Sequence, residues 1–205
     1  MKTDPRPTLI AAAGHFYRQG WMLGTAGNLS AKIDDDSFWI TASGRNKGQL
    51  NIGDFIPIAP NGKVVEKPHG KVSPSAETSI HQVIYSLFPE ARACYYVHAI
   101  EANLVSRFTD GDILTLPPLE MLKGLGVRKE NPKVAISVFA NHLDVALIAS
   151  DIRERFQTVT PSVNVLLIRD HGLTAWGSST EDVFNYVEIA DYIFRYMVAA
   201  KKISI

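Results

Sequence analysis

Residues 163–177 read VNVLLIRDHGLTAWG, with an apolar run on each side of a short polar break. Val163 to Ile168 and Leu173 to Trp176 have the length and the apolar composition of buried strands. His171-Gly172 lies between them, so a histidine stands at the end of a rigid strand, where binding and catalytic groups often collect. The stretch therefore predicts two neighbouring strands with a candidate functional side chain at their junction.

Strand and helix patterns alternate through the rest of the chain. Further strands are predicted at 29–33, 38–42, 55–59, 63–65, 93–98 and 134–139. Helices are predicted at 8–21, 75–88, 100–108, 141–156 and 180–200, with a short helix or turn at 119–125. Ser73-Pro74 is typical of a helix start, Ser178 and Glu181 have capping-box spacing, and Asn61-Gly62 indicates a hairpin. We expect an α/β fold, α+β in detail, with a mixed or antiparallel sheet and a single domain over residues 1–205.

Composition excludes several classes of protein. The 205 residues are 46% hydrophobic and 20% charged, which is typical of a globular chain. Lys plus Arg and Asp plus Glu are 21 each, and this balance argues against a nucleic-acid coat or a polybasic membrane binder. Cys94 is the single cysteine, which excludes an internal disulfide and a Cys-rich zinc site. Because we find no signal-type segment and no run long enough to cross a bilayer, we expect a cytoplasmic protein without nucleic-acid or membrane partners.

Two of the six histidines stand out by their position. His98 and His171 each follow a predicted apolar strand, and neutral imidazole is a common ligand of zinc and related ions. Two histidines alone are a weak indication of a metal site. A structural role is favoured for the histidines inside predicted helices, which are His15, His81 and His142.

Two carboxylates and three small-residue loops are further candidates. Glu77 lies in the first turn of a predicted helix, where a carboxylate either interacts with the helix dipole or serves as an acid or base. Glu120, taken alone, is typical of a surface carboxylate. Glycines, hydroxyls and basic residues that suit an anion occur in the loops 24–30, 41–48 and 71–75. Each loop taken singly is equally compatible with an ordinary turn.

Taken together, these segments resemble the class II aldolase family over nearly the whole chain. The family's marks are Gly27-Asn28-Leu29-Ser30, Thr41-Ala42-Ser43-Gly44, Pro74-Ser75-Ala76-Glu77-Thr78, Val97-His98 and His171-Gly172-Leu173. Residues 43–48, 119–124 and 171–177 resemble the branch of the family that dehydrates 5-methylthioribulose 1-phosphate in methionine salvage. The resemblance implies a three-layer fold, with a largely antiparallel central sheet covered by helices, and a homotetramer.

The resemblance also implies one zinc ion per subunit, held by a His-x-His pair on one strand and a third histidine in the His-Gly-Leu segment. His171 takes the third position and His98 the second, which leaves Tyr96 where the first histidine is expected. The other register would place Ile100, which cannot bind a metal, in the pair. Four interpretations stay open: Tyr96 supplies an oxygen ligand, Tyr96 turns away from a two-histidine site, the chain has lost catalysis, or the sequence has been deliberately altered at this position.

The implied reaction removes water across C3–C4 of the ketose phosphate and gives 2,3-diketo-5-methylthiopentyl 1-phosphate. The metal would stabilise the enediolate, and a carboxylate would move the protons. By resemblance the main acid/base is Glu120 and the second candidate is Glu77. The resemblance implies that the substrate phosphate is bound by Asn28, Ser43, Gly44, Ser75 and Lys47, with Arg45 as a possible further positive charge. The alternatives are an aldolase or epimerase acting on another ketose phosphate, and a non-catalytic binding or scaffold protein.

Overall fold

An eight-stranded sheet runs through the protein, which we describe from a computed structural model over residues 3–66 and 72–203. His69 and Lys71, the latter at the start of the third predicted loop, lie outside the described residues. The strands are β1 (Asn28–Lys32), β2 (Phe38–Thr41), β3 (Phe55–Ile58), β4 (Ala93–Val97), β5 (Ile113–Leu116), β6 (Val134–Phe139), β7 (Val165–Ile168) and β8 (Gly172–Gly177). Their order is β3-β2-β1-β4-β8-β7-β6-β5, and among the described strands only β6 and β7 pair in parallel. The expected largely antiparallel sheet is confirmed.

Helices cover both faces of the sheet. They are α1 (Arg6–Arg18), α2 (Thr78–Leu87), α3 (Ile100–Ser106), α4 (Val145–Thr158) and α5 (Thr180–Lys202), with 3-10 helices at Lys47–Gln49, Ile52–Asp54 and Glu120–Leu125. Successive side chains of a strand point to opposite faces, so β4 contributes Tyr95 to one apolar cluster and Tyr96 to the other. Helices α1, α3 and α5 share the first cluster and helices α2 and α4 share the second, which gives the three expected layers. Within the described ranges, no helix combines the length and the apolar character that crossing a membrane requires.

Two predictions at helix starts need correction, namely the first residue of α2 and the capping residue of α5. Helix α2 begins at Thr78 with Glu77 as its N-cap, because Pro74 is held in a β-bridge to Ala42 beside the end of β2. Helix α5 is capped by Ser179, whose hydroxyl oxygen accepts the backbone N–H of Asp182 at 3.0 Å. The hydroxyl of Ser178 instead donates to the carboxylate of Asp182.

The strand predictions needed two corrections. Residues 63–65 are not a strand, since Val64 makes only an isolated bridge to Ile58. Strand β5 was not predicted, because it is short and lies at the edge of the sheet with Ile113 exposed to solvent. The edge position explains the weak apolar signal, since such a strand has a neighbour on one side only.

The predicted strand pair at 163–177 is confirmed. Strands β7 and β8 pair antiparallel with Leu167 opposite Leu173, and β8 also pairs with β4. Gly172 begins β8 so close to β4 that a Cβ atom there would lie 2.2 Å from the carbonyl oxygen of Val97. Only glycine allows this approach, which brings His171 beside the end of β4.

Candidate active site

The ends of three neighbouring strands meet at one end of the sheet. Asn28 at the start of β1 pairs with Tyr96 near the end of β4, and Val97 pairs with Leu173 of β8. The loops that leave this end surround a cavity of about 230 Å³. Six residues predicted from the sequence line it together: Ser43, Gly44, Lys47, Ser75, Glu77 and His98.

Three rings stand together beside this cavity. The ring centroids of Tyr96 and His98 are 4.9 Å apart, those of His98 and His171 are 5.0 Å apart, and those of Tyr96 and His171 are 5.4 Å apart. Burial, assisted by the neighbouring His171, lowers the pKa of His98 to about 4. Burial also lowers the pKa of His171. Both imidazoles are therefore neutral near pH 7 and keep a lone pair for a ligand.

The donor atoms of these rings fit a divalent cation in part. Among the described residues, His171 Nδ1 and the Tyr96 hydroxyl are buried without a hydrogen-bond partner, which is rare for buried polar atoms. Burial, with the charge of Glu77 as a second cause, raises the pKa of Tyr96 well above its usual value. The described ranges hold no cluster of three or more His, Cys, Asp or Glu residues suited to a metal. The site thus offers two imidazoles and, in place of a third, a protonated phenol.

Glu77 is held in place at the cavity wall. The Asn28 amide donates to its Oε2 at 3.0 Å, and the Ser75 hydroxyl donates to the same oxygen at 2.6 Å. Asn28 is buried, and its amide oxygen contacts His81 Nε2, so the structure turns this amide to Glu77 and His81. The sequence favours a structural role for His81, and its spacing of four residues from Glu77 is the signal that links the two side chains.

Lys47 places a buried cation at the cavity. Its side chain is 1% exposed, and Nζ donates to the carbonyl oxygens of Thr25 at 2.8 Å and of Arg45 at 2.9 Å. Burial lowers the pKa of Lys47 to about 8, against the opposing charges of Glu77 and Asp54. An ammonium group has three donors, so one remains for an anion. The Arg45 guanidinium instead pairs with Asp54 at 3.1 Å.

The structure does not bring Glu120 to this cavity. Glu120 opens a 3-10 helix, its side chain is 81% exposed, and it pairs with Lys123 at 2.7 Å. It lines a separate groove with residues such as Leu122 and Arg128. Within one chain, Glu77 is therefore the candidate carboxylate that lies next to His98.

Comparison with known proteins places the chain in a family. The family model described as Class II Aldolase and Adducin N-terminal domain matches residues 7–198. The chain is 62% identical over 202 residues to a protein of Microcystis aeruginosa named methylthioribulose-1-phosphate dehydratase, covering 98% of both chains. A protein of the same name from Leptospira biflexa is 39% identical over 189 residues, covering 89% of this chain and 90% of the relative.

Solved structures share the fold. Escherichia coli YgbL aligns with a TM-score of 0.80 at 20% identity, covering 95% of this chain and 88% of that one. L-fuculose-1-phosphate aldolase from Thermus thermophilus aligns with a TM-score of 0.77 at 21% identity, covering 97% of this chain and 96% of that one. At such identities the likeness concerns the fold alone, whereas the family match spans most of the sequence. The chain therefore belongs to the class II aldolase and adducin N-terminal domain family.

Proposed function

We propose that this chain dehydrates 5-methylthioribulose 1-phosphate, the reaction implied for methionine salvage. The observation that carries the proposal is the 62% identity, over 98% of both chains, to a relative named methylthioribulose-1-phosphate dehydratase. The cavity supports it, because neutral imidazoles, a carboxylate and a buried ammonium line or adjoin one small space. Such a set suits elimination from a phosphorylated hydroxyketone.

A zinc ion is the proposed cofactor, in keeping with the metal dependence typical of class II aldolases. His98 and His171 would hold it, with the Tyr96 hydroxyl facing the third position. A bound zinc ion would act as a Lewis acid toward the C2 carbonyl oxygen and the C3 hydroxyl oxygen of the substrate. The two histidines contribute by staying neutral and buried, which keeps their nitrogens available at physiological pH.

Glu77 is the proposed base within the chain. Two donors hold its Oε2, while among the described residues no hydrogen bond reaches Oε1. Glu77 lines the cavity, and we assign to its Oε1 the acceptance of the C3 proton of the substrate. Glu120 would act from a second copy, since in its own chain it lies exposed in a separate groove. The departing C4 hydroxyl would then receive its proton from one of these carboxyl groups.

The substrate phosphate has a proposed place on the opposite loops of the cavity. Ser43 supplies a hydroxyl, and Lys47 supplies the remaining ammonium donor. The Ser75 hydroxyl lines the same cavity but donates to Glu77, so its part is to hold Glu77 rather than the phosphate. Gly44 has a φ of +71° with open space at its Cβ position, so its backbone can approach an anion closely. Asn28 fits the support of Glu77 better than direct contact with phosphate.

We further propose a single domain over residues 1–205, a cytoplasmic location and a homotetramer. One continuous sheet supports the single domain. A free, buried Cys94 suits a reducing compartment. The balanced charge gives no support to a nucleic-acid or membrane partner.

One observation favours a second candidate function. Tyr96 stands in place of an imidazole, so the chain could be a family member that keeps the fold and has lost catalysis. The deciding experiment incubates the purified protein with 5-methylthioribulose 1-phosphate and identifies the products by mass spectrometry. We expect loss of one water and a diketone phosphate. Aldol cleavage fragments or an epimer would point to a sibling enzyme, and unchanged substrate under every metal condition would point to the second candidate.

A further inference from the structure

A buried chain of hydrogen bonds leads from Glu77 into the interior of the protein. The Asn28 amide joins Glu77 to His81 Nε2, and His81 Nδ1 lies 2.6 Å from the hydroxyl of Ser30. The Ser30 hydroxyl in turn lies 2.7 Å from that of Tyr85. Asn28, Ser30, His81 and Tyr85 are all buried. We call these four residues the support chain.

The support chain follows from the periodicities of one helix and one strand. Glu77, His81 and Tyr85 are spaced by four residues along α2, so they share one face of the helix. Asn28 and Ser30 are two apart on β1, so they share one face of the strand. Four helical residues rise about 6 Å and two strand residues about 6.6 Å, so the rows stay in step.

Glu77 determines which atoms donate and which accept along the support chain. A carboxylate only accepts hydrogen bonds, so the Asn28 atom that faces it must be the NH₂ group. The Asn28 amide oxygen then faces His81, which must donate from Nε2 and accept at Nδ1. Ser30 donates to that Nδ1, and its hydroxyl oxygen accepts a hydrogen bond from the Tyr85 hydroxyl. Burial lowers the pKa of His81 to about 3, which agrees with a neutral ring.

The reverse arrangement of donors and acceptors conflicts with the contact between Asn28 and Glu77. The Ser30 hydroxyl has a competing acceptor, the carbonyl oxygen of Cys94, at the longer distance of 3.3 Å. If Ser30 donated there, His81 would have to donate from Nδ1 and accept at Nε2. Asn28 would then turn its NH₂ group to His81 and its oxygen to the Glu77 carboxylate. Two acceptors would face each other across 3.0 Å in a buried site, which is strongly unfavourable.

We propose that His81, as the neutral Nε2–H tautomer, is a positioning residue for Glu77. It fixes the Asn28 amide so that Oε2 of Glu77 is held and Oε1 faces the substrate. The catalytic consequence rests on the proposed function of Glu77 as the base. The tautomer and the orientation of Asn28 do not depend on the identity of the substrate.

The first test reads the tautomer directly. Imidazole nitrogen-15 NMR on the wild-type protein, with the His81 signal assigned from its loss in His81→Gln, distinguishes the protonated nitrogen from the bare one. We expect protonated Nε2, bare Nδ1 and no titration between pH 5 and 8. A protonated Nδ1, or a ring that titrates in this range, would overturn the proposal even if the protein turned over another substrate.

The second test measures the consequence for turnover. His81→Leu removes the donor to Asn28, and we expect kcat to fall by about 10–100-fold with KM changed less than about twofold. His81→Gln restores a neutral N–H donor and should recover part of that loss. Ile80→Val, a buried neighbour on α2 outside the support chain, should leave kcat unchanged.

The outcomes separate this inference from the proposed function. A folded His81→Leu protein with wild-type kcat, or a His81→Gln protein no better than His81→Leu, would overturn the positioning role. A wild-type protein that does not turn over 5-methylthioribulose 1-phosphate would defeat the proposed function, while the NMR result would still decide the tautomer. Tyr85→Phe provides a milder variant if His81→Leu does not fold, and it should lower kcat less than His81→Gln does.

Discussion

Tyr96 is the residue on which the metal chemistry of this protein depends most. Its hydroxyl is buried and has no hydrogen-bond partner among the described residues, and its ring lies beside two neutral imidazoles. A protonated phenol is a poorer zinc ligand than an imidazole, since it must lose its proton to bind strongly. Two histidines and a phenol should therefore hold zinc more weakly than three histidines.

We predict that Tyr96→His strengthens zinc binding by about 10-fold or more, because it supplies a third neutral nitrogen. Competition with a chromogenic chelator measures the affinity. Tyr95→His is a matched control, since Tyr95 lies next to it in β4 but faces the opposite apolar cluster, with its hydroxyl 3.1 Å from the Thr180 carbonyl. Unchanged affinity in Tyr96→His would show that the ligand assignment is wrong.

The two carboxylates differ in their surroundings, which leads to a second prediction. Glu77→Gln should lower kcat by about 100-fold or more with the zinc content unchanged, because an amide cannot take the substrate proton. Glu120→Gln should also lose elimination, but through a site shared with another copy. Glu130→Gln, an exposed change on the loop near Glu120, serves as the control.

Mixing the two inactive variants tests where Glu120 acts. Coexpressed Glu77→Gln and Glu120→Gln chains should regain part of the activity, since some shared sites would contain one intact residue from each chain. Full activity of Glu77→Gln alone would show that Glu77 is not the base. Inactive mixtures of folded tetramers would show that Glu120 does not act in the site of another copy.

At the scale of elements, strands formed by long apolar runs were predictable from the sequence. Contacts between residues far apart in the sequence were not. The pair β7 and β8 followed from two continuous apolar stretches. His98 and His171, each predicted at the end of a strand, have ring centroids 5.0 Å apart. The start of α2 was missed, because Pro74 bridges Ala42, a residue far away in sequence. Sequence spacing did not reveal that Glu120 lies in a separate groove, since the packing of its 3-10 helix on α5 is a tertiary contact.

The close approach of β8 to β4 gives a prediction for Gly172. Gly172→Ala should lower the free energy of unfolding by about 1–3 kcal/mol, because its Cβ would collide with the Val97 carbonyl and force the strands apart. Zinc affinity should fall as well, since His98 directly follows β4 and His171 directly precedes β8. Urea unfolding and the chelator competition measure the two effects.

Gly14→Ala is the matched control for this substitution. Gly14 lies within α1, and a Cβ there would meet its nearest atom, Arg18 Nη1, at an ordinary 3.5 Å. Alanine favours a helix over glycine, so this variant should be unchanged or more stable by up to about 1 kcal/mol. Equal stability of Gly172→Ala and the wild type would contradict the account of the β4–β8 contact.

At the scale of the whole molecule, two packed helices carry exposed large apolar side chains. Ile100 and Leu104 on α3, with Tyr192 and Tyr196 on α5, are exposed large side chains spaced by four residues. Helices α3 and α5 pack against each other, so these four residues lie on neighbouring elements. We therefore expect this surface to contact a second copy in the proposed homotetramer.

We predict that light scattering will give the mass of a tetramer for the wild type. Ile100→Lys combined with Tyr192→Lys should shift the protein to smaller species, because charges would be buried in the contact. Leu143→Lys, an equally drastic change at an exposed site before α4, should leave the mass unchanged. A monomeric wild type, or a double variant that stays tetrameric, would contradict the assignment of this surface.

The most direct test of the central claim is turnover of 5-methylthioribulose 1-phosphate before and after removal of metal. We predict diketone formation by the purified protein, loss of that activity after chelation, and recovery on addition of zinc. Such a result would also show that Tyr96 is tolerated beside His98 and His171. Full turnover after complete chelation, or no turnover under any metal condition, would contradict a metal-dependent dehydratase.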